Sequence, residues 1–347
     1  MVYFEFLHSK ITLCIEPQIS FSAIFDFFSS HFTLTEGLEG DAVANITITQ
    51  NQSLVNDVDF SSGEEMYLRM SASEFFTIPG IRVNKDGKEF IFCTKSQTIL
   101  VFDRQKRDIL ICTQEVDVRH EELVYIELIR DLILKNEENH GVTVLHAACA
   151  YKNDQATLII GPKGAGKSTM LLELVSNNGY LFMSGDKTFL WAEQGKIMAS
   201  GWPDYPHLGL GTLSKHPELV SAFHLSDRIA AAEDDLWSTD HKMAFDPKLF
   251  KRIIPHASKG VVCSVGQFLY PRLYPSEVCT AMPIHNDKSL MEAHLERIFG
   301  TGEPLWNNFI EPGNASELED MIWRCLDMAS EIPAFQITGS NGLQLKL

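Results

Sequence analysis

Residues 157–170 read TLIIGPKGAGKSTM, and within them Gly161, Gly166, Lys167 and Ser168 satisfy the pattern G-x-x-x-x-G-K-[ST]. Such a loop holds a phosphate chain. Its glycines let the backbone curl until successive N–H groups point at phosphate oxygens, and a helix opening near Lys167 adds its positive dipole end. In that chemistry Lys167 reaches the β- and γ-phosphates and the Ser168 hydroxyl ligates Mg²⁺. The expected cradle is Gly161, Lys163, Gly164, Ala165, Gly166, Lys167, Ser168 and Thr169, and the expectation is a nucleotide site with Mg²⁺. A glycine-rich turn without a ligand is the plainer alternative.

Two side chains near the loop could join it. VTVLHAACAY, KNDQ and ATLII together read as a hairpin turning at Asn153 and Asp154. With those two residues centring the turn, His146 lies directly across from Gly161, at the mouth of the loop. A histidine in an apolar strand serves a core as readily as a site, and the inferred register is what favours proton handling. Asp186 closes YLFMSGD, at the end of the strand that follows the loop helix. A carboxylate there holds Mg²⁺ in many phosphate-loop proteins, although a residue following Gly185 also suits a plain turn.

These residues need a scaffold. The β-branched run at Thr157–Ile160 predicts a strand, and Met170, Leu171, Leu172 and Leu174 predict a helix ending near Val175, before SNNG. Upstream, EELVYIELIRDLILK predicts a helix over 121–135, taken to open a second domain. Before it, FEFLHSKITLCI, ANITITQ, KEFIFCT, QTILVF and DILICTQ, with turn stretches such as NKDGKE and DRQKRD, predict a mainly antiparallel β domain. IFDFFSSHF is read as one short helical interruption. The expected division is 1–118 and 119–347.

Composition bounds the rest. A chain of 347 residues is long enough for two cores. A net charge of −17 with no long basic run argues against nucleic-acid partners. The seven cysteines are scattered, with no C-x-x-C or zinc spacing, and read as reduced thiols. MVYFEFLHSK lacks the parts of a signal peptide, and no apolar segment reaches the roughly 18 residues of a membrane span. The expectation is a cytoplasmic protein with no membrane partner.

His146 before the loop, L-I-x-G-x-x-G-x-G-K-S from Leu158, the LLELV helix and G-Y-x-x-x-x-x-D ending at Asp186 form a recognisable combination. It resembles the catalytic domain of HPr kinase/phosphorylase and, more closely, the diverse HPr kinase-related proteins. The resemblance covers about residues 121–338 and is strongest from His146 to Asp186. It implies an α/β fold with a P-loop core of the HPr kinase / phosphoenolpyruvate carboxykinase type, here preceded by the β-rich N-terminal domain. It also implies phosphoryl transfer to a serine hydroxyl of a peptide or protein, or to a small-molecule hydroxyl. Some relatives are peptide-tailoring kinases.

Two departures stand out. Relatives carry adjacent acids at the strand end, the first as base and the second as metal partner, whereas this chain has Gly185 and Asp186. Asp186 matches the metal-side acid, and the base is unassigned. The helix end SNNG is one residue longer than usual, so a slip in register lets Asp186 take either role. Replacement bases are sought in GWPDYPHLGLG, at Asp204 and His207, and in AAEDDLWSTDHK, at Glu233, Asp234 and Asp235, although these stretches also suit turns and solvated loops. Lys242 and Arg252 are candidates to neutralise a leaving phosphate, against plain surface charge. The E-x-x-G-x-G context of the phosphorylases is reduced to HLGLG, which predicts forward reaction only.

The resulting expectation is an ATP- and Mg²⁺-dependent kinase in which Asp186, His146 and Lys167 are catalytic and Ser168 and Asp186 bind the metal. The acceptor is a peptide, protein or small-molecule hydroxyl, and homo-oligomerisation is left open. The rival, drawn from the missing acid at 185, is a regulatory module that binds ATP without transferring phosphate.

Overall fold

The computed structural model describes residues 1–35, 41–114, 116–232, 235–238, 242–274, 278–299 and 305–339. It is a mixed α/β chain in two compact units, Met1–His140 with Arg297–Leu318, and Gly141–Glu296 with Glu319–Leu347. Among the described residues no helix is long and apolar enough to cross a membrane.

The first unit is a nine-stranded sheet in the order β3-β1-β2-β4-β9-β8-β7-β6-β5. Its strands are β1 (Val2–Phe6), β2 (Ser9–Ile15), β3 (Thr33–Thr35), β4 (Ala44–Thr49), β5 (Glu64–Arg69), β6 (Ile78–Lys85), β7 (Lys88–Cys93), β8 (Thr98–Asp103) and β9 (Asp108–Cys112). The expected antiparallel character holds except at the middle, where β4 pairs parallel with both β2 and β9. The β6–β7 turn at Asp86 and Gly87 has φ of 50° and 74°, the left-handed pair that matches strand twist. IFDFFSSHF supplies α1 (Ser22–Phe28), whose phenylalanines pack on Phe4.

The helix α2 runs Val118–Asn139, longer than the sequence pattern suggests, because Asp117 caps it by accepting from the His120 N–H at 3.2 Å. It belongs to the first unit, so the break at 118 read from the sequence moves to His140. The reason is polar as well as apolar. Glu137 accepts from the His8 N–H and from Ser9 Oγ at 3.0 and 2.6 Å, which ties the helix to the β1–β2 turn. The buried Lys135 ammonium donates to Asp131 at 2.8 Å and to the Asn307 carbonyl at 2.8 Å, so residues 305–318 are drawn to this unit too.

The second unit contains β10 (Thr143–Lys152), β11 (Gln155–Ile160), α3 (Lys167–Asn177), β12 (Leu181–Ser184), β13 (Lys187–Glu193), β14 (Lys196–Gly201), β15 (His207–Gly209), α4 (Leu210–Leu213), α5 (Pro217–Ala222), α6 (Ser226–Ala231), β16 (Lys242–Ala244), α7 (Pro247–Ile253), β17 (Val262–Arg272), β18 (Thr280–Ile284), α8 (Lys288–Glu292), β19 (Leu295–Glu296), α9 (Ala315–Ser330) from Glu319 onward and β20 (Ala334–Thr338). The order β11-β10-β13-β14-β17 closes on itself, because β11 also pairs with β17. Alternation along β10 divides the core. Ala148 and Ala150 pack with Met170, Leu171 and Leu174 of α3, while Leu145, Ala147 and Cys149 pack with Ile322, Cys325 and Leu326 of α9. His146 shares the parity of Ala148 and therefore the face of α3.

Candidate functional site

The loop 161–166 leaves β11 and enters α3 at Lys167. Gly164 and Gly166 have φ of 88° and 102°, conformations open to glycine, and a Cβ on Gly166 would stand 2.7 Å from Leu273. Ala165 accepts from the Leu273 N–H at 3.1 Å, fixing the loop against the end of β17. No side chain caps α3, so the first-turn N–H groups are left for another acceptor. The Lys167 ammonium lies over the loop, donating to the Gly161 carbonyl at 2.6 Å. Its pKa is lowered by burial and by Lys242, against the pull of Asp186. Lys163 is exposed. Gly164, Gly166, Lys167, Ser168 and Thr169 line a cleft of about 200 Å³ that also holds Lys242.

Asn153 and Asp154, with φ of 52° and 59°, close the β10–β11 hairpin. Its pairs run from Lys152 with Gln155 to Ala147 with Ile160, the register inferred from sequence, and this carries His146 to the level of Gly161. On its other side β10 pairs Cys149 with Ser184 and His146 with Lys187. The link Gly185–Asp186 is thus a kink between two strands lying along one edge of β10, and it brings Asp186 beside His146. Asp186 Oδ1 is 3.4 Å from His146 Nδ1.

Glu296 completes this cluster, and sequence reasoning missed it. Residues Leu295 and Glu296 pair with Leu145 and Val144, and the His146 N–H donates to the His294 carbonyl at 2.8 Å. Glu296 Oε1 then stands 3.1 Å from His146 Nδ1, and its second oxygen forms an ion pair with Lys187. An ionised carboxylate only accepts, so in the tautomer with its proton on Nδ1 the imidazole donates to Glu296. Burial lowers the His146 pKa, Asp186 opposes that, and Lys167, Lys187 and Lys242 reinforce it. His146, Asp186 and Glu296 offer ligand atoms within 4.8 Å of one another, a set able to share a cation or a proton.

The other candidates divide. Lys242 is brought in, because β16 pairs it with Gly209 of β15 at the cleft. Asp204 lies in the irregular link between β14 and β15, its carboxylate accepting from the Tyr205 N–H at 2.9 Å, and His207 is exposed with Nδ1 donating to the Tyr205 carbonyl at 2.6 Å. Asp235 bonds through its N–H to Ala232, and Arg252 sits in the last turn of α7; neither lines the cleft. Glu233 and Asp234 lie outside the described residues. Comparison with known proteins returned no matching family model and no matching curated protein.

Proposed function

We propose that this chain is an ATP- and Mg²⁺-dependent kinase whose second unit has a P-loop core of the HPr kinase / phosphoenolpyruvate carboxykinase type. The acceptor is a hydroxyl of a peptide, protein or small molecule. The observation that carries the reading is that the β10–β11 register and the Gly185–Asp186 kink gather His146 and Asp186 at the mouth of a loop bearing Lys167.

Phosphoryl transfer asks a protein mainly for positioning and charge neutralisation. The loop N–H groups and Lys167 hold the β- and γ-phosphates, and the Ser168 hydroxyl and Asp186 hold Mg²⁺. As the acceptor oxygen bonds to the γ-phosphorus, the bridging P–O bond to ADP breaks and the hydroxyl proton passes to a carboxylate. Lys242, on the same cleft, faces the charge that develops on the leaving phosphate.

The gap at Gly185 favours the rival reading of nucleotide binding without transfer. Glu296 weighs against that rival, because it returns a second carboxylate to His146 from a different segment. Incubation with γ-labelled ATP and cell extract tests the proposal. A labelled acceptor that disappears with Lys167→Ala is expected. Tight ATP binding with no labelled acceptor and no hydrolysis would transfer the case to the regulatory module.

A further inference from the structure

The cleft beside the loop is lined by more than lysines and glycines: Leu236, Trp237, Leu273 and Tyr274 share it, with Gly209 and Gly211. Trp237 and Tyr274 are 44% and 39% exposed, two large rings left open to water in one place.

The indole is seated on one side. A Cβ on Gly211 would stand 2.5 Å from its Cδ2 and Cε3, and Lys215 Nζ lies 5.2 Å from its ring centroid. Gly211 itself lines the cleft beside the indole, and Trp237 keeps 44% of its surface open to water there. The platform is tied to the phosphate loop at two points. Thr169 of α3 and Thr212 of α4 share a hydroxyl hydrogen bond of 2.7 Å, and the Leu273 N–H donates to Ala165 at 3.1 Å.

The cleft thus combines cationic side chains, Lys167 and Lys242, with aromatic ones, Trp237 and Tyr274. That pairing fits a ligand with an anionic chain and a flat apolar ring, not an inorganic polyphosphate or a phosphosugar. We infer that Trp237, with Tyr274, is the stacking platform for the base of a nucleoside triphosphate whose phosphates lie in the loop. The inference rests on the phosphate-loop reading above. Stacking uses the π-face that every base has, so purines outbind pyrimidines by contact area and adenine and guanine are close to equivalent.

Calorimetric titration of the full chain with ATP, and separately with inorganic tripolyphosphate, both with Mg²⁺, tests this. Trp237→Ala should weaken ATP roughly tenfold or more and leave tripolyphosphate unchanged, and Trp237→Phe should restore most of the loss. Lys167→Ala should weaken both ligands. ATP affinity within twofold of the parent in Trp237→Ala, or an equal loss for tripolyphosphate, overturns the platform while the phosphate loop stands. Binding of neither ligand by the parent overturns the loop and the platform together. Should Trp237→Ala not fold, photolabelling of the parent with 8-azido-ATP decides: label on the peptide bearing Trp237 or on that bearing Tyr274 supports the platform, and label on neither refutes it.

Discussion

His146 Nδ1 lies 3.1 Å from Glu296 Oε1, a contact between residues 150 apart in the chain. Lys187, paired with His146 across β10 and β13, holds the other Glu296 oxygen. Glu296→Gln keeps the shape and removes the charge, leaving the histidine N–H a weaker acceptor and Lys187 without its counter-charge. Turnover should fall roughly ten- to a hundredfold while MgATP affinity changes little. In a double-mutant cycle with His146→Ala, itself expected to cost roughly 10²-fold, the two losses should not add. Additive losses would mean that the pair does not act as a unit.

Lys167→Ala should abolish transfer in a folded protein, since removing a charge aimed at the transferring phosphoryl costs on the order of 3 kcal/mol in the transition state. Asp186→Asn should be comparably damaging at saturating acceptor, because in the proposed reaction this carboxylate would hold the metal and it also stands 3.4 Å from His146 Nδ1. A rate within a few-fold of the parent would make Asp186 a turn residue. The parent protein should run forward from ATP and release no pyrophosphate from phosphorylated product in the presence of phosphate.

Gly166→Ala forces a side chain into φ of 102° and against Leu273 at 2.7 Å. The expected cost is roughly 1–3 kcal/mol of stability, read by urea unfolding, with loss of tripolyphosphate binding as the loop shifts. Gly195→Ala, also at positive φ but with nothing within 4 Å, is the control that separates strain from collision.

His256 is a pH-dependent element of the fold. Its ring packs on Phe182 and Phe250, its Nδ1 donates to the Ile254 carbonyl at 2.6 Å, and burial pulls its pKa down to about 4 from 6.5, with Lys251 adding to the shift. The folded state thus prefers the neutral ring. The associated stability is fully present above about pH 6.5 and is lost as pH falls toward 4, by roughly 2–3 kcal/mol. His256→Gln should flatten the stability–pH curve across that window relative to the parent. Parallel curves would show that the ring titrates normally.

Much of the site is legible in the sequence because its parts are close along the chain. Loop and helix follow from glycine spacing and apolar periodicity. The place of His146 follows from Asn153 and Asp154, since a two-residue turn admits one register and a strand's period of two then sets the face. Asp186 lies one strand further on. Glu296 carries no such mark: β19 has two residues, too few for a pattern, and its position depends on pairing with Val144 and Leu145 far upstream. Lys242 likewise depends on β16 meeting β15, and α2 on the partners of its buried polar groups, Glu137 with Ser9 and Lys135 with Asn307. Local hydrogen bonding and periodicity are written residue by residue, whereas the partner of a buried charge is chosen only when distant segments pack together.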